Sequence, residues 1–331
     1  MITQPLLWHS CKTGTINTGH ELKGMRMNLQ NLRVFQKVAE LEHITRAADE
    51  LGLSQPAVTK IIQSLEQEIG LELIERRGRR IVLTHAGHIL HTYSRKLAAL
   101  EREMEEAMEA LSTVESGEVR LGANATTGVY LLPPIVAHFR HDYPRVNLHI
   151  SILNTQEVID EILNWQIDLG LVEGDPSRQF PELKVTPFTQ DHLILVVGPN
   201  HHWSQHTSVL PEQLSRGELV LREQGSGVRD VIEHELAHLG VHIHPLLILT
   251  NNEAIKQMVM NGVGAAIVSA FTVRRELATG SLLQIPIEGL ELHPQLSIIQ
   301  RADKQLSRSA QAFYKYLQPQ FTQTIEVTQK A

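Results

Sequence analysis

One stretch, Ala47–Gly70 (AADELGLSQPAVTKIIQSLEQEIG), constrains the fold of this chain more than any other. Ala47, Ala48 and Leu51 belong to one short apolar-periodic helix, and Gly52 and Leu53 make a tight turn. Ser54 is placed to cap a second helix, with Pro56 in its first turn, where a missing N–H is harmless. Val58, Ile61, Ile62, Leu65 and Ile69 recur at helical spacing on one side of that helix. Its start also carries Gln55, Pro56, Ala57, Thr59, Lys60 and Gln63, among them side chains that can reach base edges and phosphates in a major groove. Small alanines let two helices cross closely, so the pattern reads as a helix-turn-helix or as an ordinary αα-corner in a globular core.

Local charge matters because the chain as a whole is acidic, with a net charge of −7. A polyanion would have to be met by a local basic surface. Residues 25–84 carry nine Lys/Arg against eight Asp/Glu, and Arg76, Arg77, Arg79 and Arg80 lie together in RRGRR. Ile74 and Ile81–Leu83 have the composition of two short strands around Gly78, which is the shape of a wing. Its arginines would meet phosphates or enter a minor groove; the alternative is a solvated charged hairpin. Before the central stretch, Leu29, Leu32, Phe35, Val38 and Ala39 share one helical face, a third helix for the same small core.

His85–Leu111 is a long run without proline in which Leu90, Tyr93, Leu97, Leu100, Met104, Ala107 and Leu111 form a heptad seam. So narrow a stripe needs a partner, either the same helix of a second subunit or the chain's own C-terminal region. Ser112–Gly117 is a polar linker. Beyond it strand and helix patterns alternate, from a strand at Val119–Ala123 to a closing helix at Ser307–Leu317, which predicts parallel sheets with ligands at the carboxyl ends of their strands. A length of 331 residues allows two or three such domains. A single cysteine, Cys11, excludes an intrachain disulfide framework and fits a reducing cytoplasm. No apolar run is long enough to span a membrane. Residues 1–26 lack a signal-peptide core and read as a polar, poorly ordered extension, with Met25 or Met27 as an alternative start.

From about Leu29 to about Leu317 the sequence resembles the LysR-type transcriptional regulators. The segment LRVFQKVAELEHITRAADELGLSQPAVTKIIQSLEQEIGLELIERRGRRIVLTHAG is close to that family's whole winged helix-turn-helix signature. The resemblance implies a winged helix-turn-helix DNA-binding domain over 27–84 and a dimerising linker helix over 85–112. It also implies a periplasmic-binding-protein-like effector domain over 118–320, made of two α/β subdomains. Subdomain I would span about 118–188 and 269–320 and subdomain II about 189–268, with crossings near Pro187–Asp191 and near Ser269. It further implies a homodimer or homotetramer, promoter DNA and a small-molecule effector as partners, and RNA polymerase at the promoter. In the family the first strand of the effector domain ends in a Ser or Thr; here GANATTG puts Asn124 at that place.

Three helix starts carry small polar residues: Asn124, Ala125, Thr126 and Thr127; Asn154 and Thr155; and Gly225, Ser226, Gly227 and Val228. Free N–H groups and the helix dipole at such ends favour an anion, and Arg222 and Arg229 are nearby cations. The expected effector is therefore a small carboxylate or inorganic anion, although capping alone explains the same residues. Asp168 in DLGLVEG reads as a strand end rather than a ligand contact. One rival motif is His234-Glu235-Leu236-Ala237-His238, which matches the H-E-x-x-H pattern of zinc proteases, where two histidines share a helix face. No third ligand follows at the right spacing. No G-x-S-x-G elbow supports a hydrolase, and a solute-binding protein would lack the N-terminal helix-turn-helix. The reading is a regulator, not an enzyme, with no cofactor.

Overall fold

A computed structural model describes residues 27–77, 80–112 and 116–318 of the chain. The expected extension at residues 1–26 lies outside them. The chain divides into two compact units at Arg95/Lys96.

In the first unit, α1 (Leu29–Leu41), α2 (Ile44–Leu51) and α3 (Gln55–Ile69) surround one core. Val34, Phe35, Val38, Ala47, Ala48, Val58, Ile62 and Leu65 fill it. Leu29, expected on the inner face of α1, is exposed, whereas Val34 is fully buried. Gly52 ends α2 at φ 65°, where a left-handed residue returns its N–H to the last carbonyls of the helix. The Ser54 hydroxyl then accepts from the Ala57 N–H at 3.4 Å and starts α3. Strands β1 (Ile74–Arg77) and β2 (Arg80–Leu83) pair antiparallel, Ile74 opposite Leu83. Glu66 on α3 ties this hairpin down, accepting from the N–H groups of Leu73 and Ile74 at 2.9 and 3.3 Å.

Helix α4 (His85–Ser112) follows. Leu90 packs on the first unit's core, while Ile89, Tyr93, Leu97, Leu100, Met104 and Met108 are exposed along the helix. The side chains of Ala107 and Leu111 lie outside the described residues.

The second unit contains β3 (Gly117–Asn124), a π turn (Thr127–Leu131) leading into α5 (Leu132–Asp142), β4 (Val146–Leu153), α6 (Thr155–Leu163), β5 (Leu169–Glu173) and β6 (Leu183–Gln190). These are followed by β7 (Leu193–Val197), β8 (Leu219–Arg222), α7 (Gly227–His238), β9 (Pro245–Leu249), α8 (Asn252–Met260) and β10 (Ala265–Ser269). Helix α9 (Arg274–Thr279), β11 (Leu283–Ile285), β12 (Gln295–Arg301) and α10 (Arg308–Tyr316) complete it. The strands form two five-stranded sheets, in the orders β4-β3-β5-β12-β6 and β11-β7-β10-β8-β9.

The sheets are mixed rather than parallel, which corrects the sequence expectation. Strand β12 returns from the other sheet and so runs antiparallel to β5 and β6, and β7 runs antiparallel to β10. Strand β6 has no counterpart in the sequence reading. It carries Pro187 at the sheet edge, opposite a register shift at Leu296/Ser297, a position where a missing donor is tolerated. The second crossing also moves. It was expected near Ser269, but α9 and β11 stay with the second sheet because Val273 and Leu282 pack on Ile194 and Val196. The chain returns only after Leu292, which corrects the boundary of subdomain I from 269. The two crossings run side by side: Asp191 N–H donates to Pro294 O and Leu193 N–H to Leu292 O, both at 2.9 Å. The rings of His192 and His293 stack at 4.5 Å. Among the described residues no helix is long and apolar enough to cross a membrane.

Candidate nucleic-acid interface and ligand cleft

The inner side of α3 is committed to the core through Val58, Ile62 and Leu65, so its outer side faces solvent. Ser54, Gln55, Pro56, Lys60 and Gln63 are exposed, and Ala57 and Thr59 are half-buried. Gln55 Nε2 donates to Thr59 Oγ1 at 3.0 Å, one helical turn on. Gln55, Thr59 and Gln63 thus lie in one row, the spacing a helix offers to a groove. Arg76 and Arg77 lie in β1, and Arg80 opens β2 with its side chain exposed. Arg79 lies outside the described residues.

The second candidate site is the cleft between the two sheets, and it is closed. Gln156, in the first turn of α6, donates its N–H to Gly225 O at 3.0 Å across the cleft. Gly225 needs its left-handed φ of 83°, and Gly227 needs its bare Cα. A Cβ on Gly227 would stand 2.8 Å from Thr155 Oγ1 and from Glu173 Cβ. Thr155 in turn donates to Glu173 Oε2 at 2.9 Å. On the first sheet's side, Asn124 is buried with its Oδ1 accepting from Thr127 N–H at 2.8 Å. Asn124 Nδ2 and Thr127 Oγ1 are buried without a hydrogen-bond partner among the described residues. Ala125 is half-buried, and Thr126 lines a small cavity together with Arg222, Val228, Arg229, Asn252 and Ser269.

The expected residues divide by what already occupies them. Asn154 is a helix cap in a reciprocal box with Glu157. Ser226 precedes α7, is buried, and makes no capping bond with its side chain. Both guanidiniums are nearly buried and partly engaged. Arg222 forks onto Glu223 at 2.8 and 2.9 Å and reaches Asn252 Oδ1 at 2.8 Å. Arg229 donates to Arg222 O at 3.0 Å and to Glu233 at 2.7 Å.

The sequence reading missed two buried carboxyls. Burial pushes Glu173 up to about 7, against the hydrogen bond it accepts from Thr155. Burial likewise raises Asp191 to about 6, against the hydrogen bonds it accepts from Ser269 Oγ at 2.8 Å and from the His192 N–H. A carboxylate ending an otherwise apolar strand is a signal that could have singled out Glu173. Asp168 keeps the structural role expected of it, accepting from Arg120 N–H at 2.9 Å and pairing with Lys304. The His234–Glu235–His238 match is real in space, with the two rings 4.1 Å apart on α7.

Comparison with known proteins places both halves. Residues 29–88 match the family described as "Bacterial regulatory helix-turn-helix protein, lysR family", and residues 112–322 match "LysR substrate binding domain". The RuBisCO operon transcriptional regulator of Allochromatium vinosum is 36% identical over 293 residues, covering 88% of this chain and 96% of that protein. A full-length OxyR variant from Pseudomonas aeruginosa superposes with a TM-score of 0.68 at 22% identity, over 88% of this chain and 94% of the other. The regulatory domain of CcmR from Synechocystis PCC6803, solved in complex with 2-PG, matches at 26% identity and a TM-score of 0.56, over 61% of this chain and 96% of that domain.

Proposed function

The chain belongs to the LysR family of DNA-binding transcriptional regulators, and from that premise we propose how its two candidate sites divide the work. Gln55, Thr59, Lys60 and Gln63 read base edges in a major groove, with Ser54, Pro56 and Ala57 fixing how the start of α3 meets it. Arg76, Arg77, Arg79 and Arg80 hold phosphates or the adjacent minor groove. The observation that carries this reading is the row Gln55–Thr59–Gln63, with both glutamines exposed and Thr59 half-buried between them, above a side of the same helix that is fully buried. The exposed apolar side chains Leu97, Leu100 and Met104 on α4 suit a second copy of the chain, which would present two such helices to two half-sites. As a promoter-binding dimer or tetramer the protein works in the cytoplasm, beside RNA polymerase.

The cleft takes a small anion. Arg222, Arg229, Asn252 and Thr126 surround the cavity there, and the start of α7 supplies N–H groups that no serine cap consumes. Glu173, raised to about 7, is largely protonated below neutrality and then adds no charge against an anion. Effector binding shifts the balance between open and closed cleft only if it prefers one of them. A relative solved with 2-PG makes that compound the first to test.

The test is selection of genomic fragments by the purified protein over a salt series, with and without 2-PG. Enrichment of an interrupted inverted repeat, with affinity falling steeply in salt, supports the DNA assignment. No enrichment at any salt removes it. A melting temperature unmoved by 2-PG and by other small carboxylates and phosphates removes the anion assignment while leaving the DNA assignment standing.

A further inference from the structure

Helix α7 carries polar chemistry at both of its ends. Its first residues, Val228 and Arg229, line the cleft cavity. Its last five, His234–His238 (HELAH), bring two imidazoles and a carboxylate together. None of these three side chains takes part in the DNA surface or in the cleft.

Their placement follows from the helix. Ile232 and Leu236 belong to a buried core cluster with Leu219 and Ile267, so the backbone beneath the outer side of α7 is held in place. His234 and His238, one turn apart, are both exposed on that outer side, with ring centroids 4.1 Å apart. Glu235 is half-buried beside them. One ligand atom from each of the three lies within 4.8 Å of the others.

The three groups are also available. No hydrogen bond or ion pair to another described residue engages either ring or the Glu235 carboxylate. No donor therefore dictates the tautomer, and each neutral ring can keep its proton on one nitrogen and offer the lone pair of the other. The other converging group, His201, His202 and Glu218, is different. There the Trp203 N–H donates to His201 Nδ1 at 3.1 Å, which leaves the neutral ring's proton on Nε2, the nitrogen that faces Glu218. That ring presents the carboxylate with a donor rather than an ion with a lone pair.

The surroundings of HELAH favour a cation. Asp230 is exposed one turn before His234. Asp230, Glu233 and Glu235 face a single cation on α7, Arg229, which already pairs with Glu233 at 2.7 Å. His238 is the last residue of the helix, where the negative end of the dipole adds to the attraction.

We propose that His234, Glu235 and His238 bind a borderline divalent cation of the Zn2+ class, with water completing its shell. Two imidazole nitrogens and one carboxylate oxygen are a donor set that zinc accepts. Glu235 is then a ligand, not the general base that the H-E-x-x-H pattern supplies in proteases. The ion staples the last turn of α7 and stabilises the second unit in proportion to its concentration. Cu2+ should bind more tightly than Zn2+, whereas Mg2+, which takes oxygen ligands, should not be held.

The experiment is calorimetric titration of the full-length protein with Zn2+ alone at neutral pH. One equivalent should bind. His234→Ala and His238→Ala should each weaken that binding by more than about a hundredfold, and Glu235→Gln by at least about tenfold, since even outer-shell changes cost about 10- to 100-fold. His242→Ala, at an exposed histidine in the loop after α7, should leave it unchanged. Unchanged melting of the variants in chelator verifies that the fold is kept. Zn2+ should raise the melting temperature of the parent protein but not of the His234→Ala and His238→Ala variants. Binding that is absent from the parent protein, survives His234→Ala and His238→Ala, ignores Glu235→Gln, falls as far with His242→Ala, or prefers Mg2+ would overturn the proposal.

Discussion

Helices α3 and α6 begin alike and are used in opposite ways. Each starts on a small polar cap, Ser54 and Asn154, and each must find partners for the N–H groups of its first turn. In α3 the first turn faces solvent, and its chemical content lies in side chains: Gln55, Thr59 and Gln63 in a row. In α6 the spare Gln156 N–H is taken by the carbonyl of Gly225 on the far side of the cleft. A recognition surface stores its information in exposed side chains, whereas a closing cleft stores it in backbone geometry and in what burial does to charge. Changes at the two helices should therefore fail differently.

The largest effect is expected beneath α3. Ile62→Ala removes a buried side chain from the small first core and should destabilise that unit by about 2–5 kcal/mol. Hydrogen exchange should place the loss in α1 to β2, and DNA binding should fall while the ligand response of the second unit persists. If both units lost protection together, the two sites would not be separable.

Next comes pH. The folded state holds Glu173 near 7 and Asp191 near 6, against ordinary values of 4.5 and 3.8. The folded second unit thus binds more protons than the unfolded chain between those values. The stability contributed by these two groups is fully present below pH 4, falls as pH rises toward 7, and levels off above. Glu173 accounts for a change on the order of 3 kcal/mol. Chemical denaturation at several pH values should show this slope, and Glu173→Gln should remove about half of it, the rest belonging to Asp191. In the first unit the comparable group is His91, which burial lowers to about 4, so its contribution rises rather than falls with pH between about 4 and 6.5, and a falling slope shared by both units would sink the assignment.

Gly227→Ala should follow, at about 1–3 kcal/mol for forcing a methyl group against Thr155 and Glu173. The variant should hold the cleft open, weaken ligand binding and leave operator affinity unchanged when no ligand is present. At α3 the smallest and most selective effects are expected. Gln55→Ala should relax discrimination at one base pair by about 1–3 kcal/mol. Arg80→Ala should weaken all sequences alike and reduce the slope of log affinity against log salt by about one. Equal effects of both substitutions on every sequence would erase the distinction between reading and holding.

The contrast also explains what could be read from the sequence. The helix-turn-helix is local: Gly52, Ser54 and the spacing Val58–Ile62–Leu65 lie within a few turns of one another, and each acts on its neighbours. Most strands and helices of the second unit were legible for the same reason. The direction of β12 was not, because it depends on where the chain has been since leaving β6. Strand β6 was hidden by Pro187, which only an edge position tolerates. Glu173 looked like the end of an apolar strand, and its burial is set by Thr155 and Gly227, which are far away in sequence. Glu218 and the His201–His202 pair meet only because β7 and β8 both lie beside β10.

The paired crossings carry a mechanical consequence. Asp191–Leu193 and Leu292–Pro294 are hydrogen-bonded to each other, so the two sheets are joined by a narrow ribbon rather than by two independent cords. A ribbon bends out of its own plane and resists bending within it. Motion between the sheets is thereby reduced to essentially one rotation, and whatever the cleft senses leaves the domain as the value of a single angle.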